Sequence, residues 1–155
     1  MSDFRKLAHL AEQLGDDLFE ILICSDNTGR VKDFCIRLMN DDLPIEMNVG
    51  GRVYDILSFL QGDEKSVDGT VMVSRSQEMQ ASLDEKEARH ILKHQDDIPV
   101  KMKGKVTFFF TGWRNPPDNL EEVACIYHDD KCWVSDWEIL DGGGFFGSGR
   151  VLRRD

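Results

Sequence analysis

The chain has 155 residues, of which 41% are hydrophobic and 31% charged. That balance excludes wholesale disorder and supports a packed core without a disulfide or a metal. The formal net charge is −10, with Asp and Glu spread along the sequence, which disfavours binding to the phosphate backbone of nucleic acids. No apolar run is long enough for a membrane span, and none follows a basic start as a secretory leader would. The expectation is a soluble cytoplasmic protein whose four cysteines are thiols.

Ser2 or Asp3 caps a first helix in which Phe4, Leu7, Ala8, Ala11 and Leu14 recur at helical spacing. Leu18 to Cys24 is a second apolar run, Ser25 to Gly29 a turn, and Val31, Phe34, Cys35 and Leu38 mark a short helix. Ile45 to Val49 and Arg52 to Phe59 read as a hairpin, because Gly50 and Gly51 supply the positive φ angles of a tight turn. Gln61 to Lys65 is a loop, and Val71, Val73 and Met79 support a helix from Gly69 to Ser82. A clearer helix runs from Leu83 to Gln95, with Ser82 and Glu85 forming a capping box and Ala88, Ile91 and Leu92 facing the core.

From Lys105 the pattern changes. Val106, Phe108 and Phe110 alternate with Thr107, Phe109 and Thr111, which reads as a strand buried on both faces. Val123 to Tyr127 is a strand, His128 to Lys131 a turn, and Cys132 to Trp137 a strand paired back onto it. Asp141 to Gly149 reads as a long Gly-rich loop, and Arg150 to Arg153 as a final strand. Helices early and strands late predict an α+β fold rather than a parallel α/β one.

Little of this carries chemistry. His90 and His94 share a helix face at metal-ligand spacing, but no Glu follows His90 and no third ligand is tied to the pair. Cys125 and Cys132 lack CxxC partners, although they could face each other across a hairpin. The Gly-rich stretch does not match a phosphate-binding loop. Asp129, Asp130, Asp136, Glu138 and Asp141 form a carboxylate-rich region with no DxDxDG pattern. No catalytic residue, metal site or cofactor is assigned.

The most informative segment is Val123 to Arg154. An apolar and tryptophan framework (Val123, Cys125, Trp133, Trp137, Leu140, Val151, Leu152) is filled with small, polar and acidic residues and two phenylalanines. With the strand around Tyr54 to Leu57 and the two helices that follow, this order resembles the C-type-lectin-like fold. Within that fold it resembles the variable proteins of diversity-generating retroelements. The resemblance implies N-terminal helices over residues 1–49 and a lectin-like domain over residues 50–155, with a twisted antiparallel sheet and long irregular loops. It further implies a non-enzymatic protein that displays hypervariable residues to a protein ligand. The displayed set would be Tyr127, His128, Asp129, Asp130, Ser135, Asp136, Asp141, Gly142, Gly143, Gly144, Phe145, Phe146, Gly147, Ser148 and Gly149, with Trp133 and Trp137 packed beneath. Most of the filling residues belong to the set reached by randomising adenines in Asn codons; Lys131 and Glu138 do not. The alternative is a small acidic inhibitor or immunity-type protein that blocks a basic surface of a nuclease or defence protein.

Overall fold

The computed structural model describes residues 43–116, 121–141 and 144–155. The helices expected before residue 43, with Cys24 and Cys35, lie outside them. Leu43–Asp155 forms one compact unit. Its elements in order are β1 (Glu46–Val49), β2 (Arg52–Leu57), β3 (Ser66–Asp68), α1 (Gly69–Glu78), α2 (Glu85–Lys93), β4 (Thr107–Arg114), β5 (Glu122–His128), β6 (Trp133–Ile139), β7 (Gly144–Phe146) and β8 (Gly149–Arg154). Short 3-10 turns at Gln95–Asp97 and Val100–Met102 follow α2. The architecture is α+β, predominantly sheet, with two α-helices among the described residues.

Six strands form one sheet in the order β1-β2-β8-β4-β5-β6, and β3 and β7 form a separate two-stranded sheet. The large sheet is mixed, which corrects the expectation of a wholly antiparallel one. β4 and β8 run parallel while its other neighbouring pairs are antiparallel. Side chains alternate across a strand, and the run Phe108-Phe109-Phe110 illustrates the consequence. Phe108 and Phe110 enter a core with Ala88 and Ile91 of α2. Phe109 enters a second core on the opposite face, with Met72 of α1. Burying each ring contributes roughly 1.5–3 kcal/mol, so one strand anchors both layers.

The β1–β2 turn forms as its glycines predict, with φ of 57° at Gly50 and 78° at Gly51. The start of α2 differs from expectation. Its cap is Asp84, whose side chain accepts the Glu87 backbone N–H at 3.2 Å. Ser82 is occupied elsewhere, accepting a hydrogen bond from Thr111 at 2.9 Å. Glu87 does not close a capping box either. Its buried carboxylate accepts from the Tyr54 hydroxyl at 2.6 Å and is flanked by Arg52 and Arg154.

Candidate functional site

The β5–β6 hairpin lies at one edge of the sheet. Its register pairs His128 with Trp133, Ile126 with Ser135, and Cys125 with Asp136. Cys125 therefore opposes Asp136 and not Cys132; it is buried while Cys132 is exposed, and both are free. Burial, and then the charges of Glu138 and Asp136, push the Cys125 thiol up to about 12.

Six of the expected display residues sit on this hairpin. Asp129 and Asp130 are exposed in the turn, and Ser135 and Asp136 are exposed on the edge strand. Tyr127 and His128 are half-buried. The His128 ring stands edge-on to Trp133 at 5.5 Å, and Trp133 stacks on Phe108 beneath it. Asp129 shapes the turn by accepting from the backbone N–H groups of Lys131 and Cys132 at 3.0 and 2.9 Å. Those bonds hold its carboxyl below the usual range. Alternation puts Ser135 on the α2 face with Trp137, and Asp136 on the other face with Tyr127.

The segment from Asp141 to Gly149 departs from the expectation of a free loop. Gly142 and Gly143 lie outside the described residues. Gly144 to Phe146 forms β7, paired with β3, and the Thr107 backbone N–H donates to the Ser148 carbonyl at 3.0 Å. Arg150 donates to the carbonyls of Gly147 and Gly149. Asp141, Gly144, Phe146 and Ser148 are exposed and Gly147 is half-buried. Phe145 is not displayed: it is 5% exposed and meets Phe109 edge-on at 5.1 Å. Gly149 is buried as well, and a Cβ there would lie 2.7 Å from Phe59 and 2.9 Å from Phe109. Gly149→Ala is therefore expected to cost about 1–3 kcal/mol through overpacking, read from the urea midpoint. An unchanged midpoint would mean that the two rings yield freely. The carboxylates are not gathered either. Asp129 and Asp130 lie at the hairpin turn and Asp141 follows the far end of β6, roughly 20 Å away along a seven-residue strand.

Beside the hairpin is a groove that periodicity did not predict. The β4–β5 register shifts between Phe110 and Arg114, so Thr111, Gly112 and Trp113 form a bulge. Bulges re-aim side chains; Thr111 keeps the α1 face of Phe109 and pairs with Ser76 at 2.6 Å, the Gly112 N–H donates to the Leu83 carbonyl at 2.9 Å, and the side chain that changes face is Trp113. Trp113 swings onto Trp137, ring centres 5.2 Å apart, under the Arg89 guanidinium at 5.6 Å. On one side of this stack is a cavity of about 550 Å³ lined by Asp84, Glu85, Lys86, Arg89, Gly112, Trp113 and Arg114. On the other is one of about 270 Å³ that includes Ser135, Asp136 and Trp137. Trp137 is thus a half-buried wall of the groove, whereas Trp133 packs in the core as expected. The available sequence signal was Gly112 inside a phenylalanine-rich strand, a mark of a bulge.

The His90 and His94 rings lie 4.7 Å apart, tilted at 45°, with His90 Nε2 3.0 Å from the Val49 carbonyl. Among the described residues no group of three His, Cys, Asp or Glu side chains is placed to hold a metal. No described helix is long and apolar enough to cross a membrane. Comparison with protein-family models, curated proteins and solved structures finds no match to this chain.

Proposed function

We propose that this chain is a non-enzymatic binding protein whose contact surface for a protein ligand is the β5–β6 hairpin. The observation that carries the reading is the division of labour within the hairpin. Val123, Ala124, Cys125, Ile126 and Trp133 are buried, while Asp129, Asp130, Ser135 and Asp136 are exposed on the same two strands and their turn. A rigid base under exchangeable polar residues is how a paratope keeps its fold while its contacts change. The finer reading is a C-type-lectin-like variable protein of a diversity-generating retroelement. Its support is the texture of residues 123–154; of the proposed set, Phe145 and Gly149 are buried.

The test is to sequence the DNA downstream of the gene. The expected result is a near-repeat of the Tyr127–Arg154 coding segment that differs only at adenines and precedes a reverse transcriptase. Without that repeat the retroelement reading falls, and the acidic-inhibitor reading takes its place. The latter is favoured by one further observation: Asp129, Asp130, Asp136 and Glu138 are all exposed on the hairpin, against a single basic residue, Lys131. Binding of that kind to a basic partner should weaken steeply between low and physiological salt.

A further inference from the structure

We propose that the groove beside Trp113 and Trp137 binds an extended, proline-containing segment of a protein ligand in the polyproline II conformation, with a basic residue at its Asp136 end. This names the class of ligand for the hairpin surface and rests on the hairpin reading, since Ser135, Asp136 and Trp137 belong to the same hairpin.

The floor of the groove depends on Ala124, the residue of β5 opposite Trp137. It is small enough to let Trp113 of β4 and Trp137 of β6 meet over it, with ring centres 5.2 Å apart and planes at 72°. Arg89 extends this surface without adding an unpaired charge. Its guanidinium lies 5.6 Å over the Trp113 ring, and Glu85 holds its Nε and Nη2 at 2.7 and 2.6 Å. The result is an aromatic platform with a cavity on each side.

Both indoles of the platform keep an open donor. Among the described residues neither the Trp113 nor the Trp137 ring N–H makes a hydrogen bond, and the only indole N–H shut away from solvent without a partner is that of Trp133. The two platform donors therefore face solvent beside an apolar surface, which calls for carbonyl acceptors on the ligand. A polyproline II segment supplies them. It makes no internal hydrogen bonds, so its carbonyls are free, and its stiffness lowers the ordering cost of docking in an aromatic groove. It repeats every three residues, about 9 Å, so successive prolines of one ridge can seat on either side of the stack.

An added β-strand fits less well. On β6, the edge strand, the Trp133 backbone N–H already donates to the Gln95 side chain at 2.9 Å and the Trp137 backbone N–H to Asp136 Oδ1 at 2.8 Å. An edge with its donors capped is a poor template for another strand. Asp136 is exposed, lines the smaller cavity and commits one oxygen to that bond. Its other oxygen makes this end of the groove complementary to Lys or Arg.

The experiment is a ¹⁵N NMR titration of the full chain with two blocked hexaproline peptides, one beginning and one ending in Arg. The controls are the same peptides with Glu in place of Arg, and an Arg-bearing glycine–serine peptide of equal length. The chain has three tryptophans, so each indole reports separately. The Trp113 and Trp137 ring N–H signals are expected to shift saturably with the better-oriented Arg peptide, while Trp133, packed on Phe108, stays in place. The Glu peptides should bind roughly threefold to tenfold more weakly, and the glycine–serine peptide more weakly still. Asp136→Asn retains the oxygen that caps the Trp137 backbone N–H and should abolish most of the preference for Arg. Trp137→Phe keeps a ring but loses the donor and should weaken binding by roughly twofold to tenfold. Should that variant fail to fold, the exposed Asp136→Asn change and the peptide comparison in the parent chain decide the matter.

The proposal is overturned if no hexaproline peptide moves the two platform indoles, if the glycine–serine peptide binds as tightly, or if Asp136→Asn leaves the preference for Arg intact. Shifts confined to the Asp129 and Asp130 amides would also overturn it while leaving the hairpin as a contact surface. The display reading stands or falls separately, on the repeat downstream of the gene.

Discussion

Glu87→Ala is expected to destabilise the fold by about 2–4 kcal/mol at neutral pH, one of the two largest effects anticipated for a single substitution in this chain. The carboxylate is buried on α2 and collects the Tyr54 hydroxyl, Arg52 at 3.1 Å and Arg154 at 2.7 Å. It thereby ties α2 to β2 and to the last residue of β8. Removing it leaves the buried Tyr54 hydroxyl without its acceptor and two arginines without their counter-charge. The arginines are partly solvated, which keeps the cost below that of a fully buried charge. Glu87→Gln preserves the shape and a hydrogen-bonding group and should cost less than the Ala variant. Urea unfolding of both variants checks this; a loss below about 1 kcal/mol for Ala would mean that water replaces the carboxylate.

The same cluster sets a pH dependence. Burial by itself would raise the Glu87 carboxyl, but the hydrogen bonds from Tyr54 and Arg154 and the charges of Arg154 and Arg52 outweigh it and hold the group below its ordinary 4.5. A carboxyl lowered in the folded state contributes stability that is fully present above its unfolded value and is lost as pH falls through the folded one. Stability should thus hold from pH 7 to about 5 and decline below about 4.5. At the alkaline end, burial, and then the hydrogen bond to Glu87 and its charge, push Tyr54 from 10.0 to about 12. A raised acid is stabilising below its unfolded value, so that contribution should fade between about pH 10 and 12. Glu87→Gln should flatten the acid limb relative to the parent.

The second large effect separates two adjacent aromatics. Phe145→Ala should cost about 3–5 kcal/mol, because the ring is buried in the second core beside Phe109 and opposite Val67 of β3. Phe146→Ala should change stability by less than about 0.5 kcal/mol, since that ring is 63% exposed. If the two variants unfold at the same urea concentration, β7 is not held as described, and the whole stretch returns to being a free display loop. If they differ as expected, Phe146 remains available for contact, while Phe145 belongs to the scaffold.

Much of the fold was legible locally. The two-sided phenylalanine strand, the Gly-Gly hairpin, the β5–β6 hairpin and both described helices follow from periodicity and turn chemistry, each of which acts over a few residues. What failed was nonlocal. Ser82 looks like a cap until Thr111 claims its hydroxyl. Nothing local marks Glu87 for burial; β2 and β8 bring Tyr54, Arg52 and Arg154 to it. Cys125 and Cys132 look apposable until the register sets Asp136 opposite Cys125.

Local pattern was enough for the α+β class, for most strand and helix positions among the described residues, for the acidic character, and for which residues of the hairpin turn face water. These follow from hydrophobic period and charge. Long-range contacts set the strand order, the parallel pairing of β4 with β8, the bulge that carries Trp113 over Trp137, and the conversion of a glycine-rich stretch into β7. Each of those depends on which distant segment supplies a backbone partner or a packing surface. Asp68 pairing with Gly144 leaves no local pattern in either segment, because a three-residue strand is too short to show a period and is stabilised only by the surface it joins.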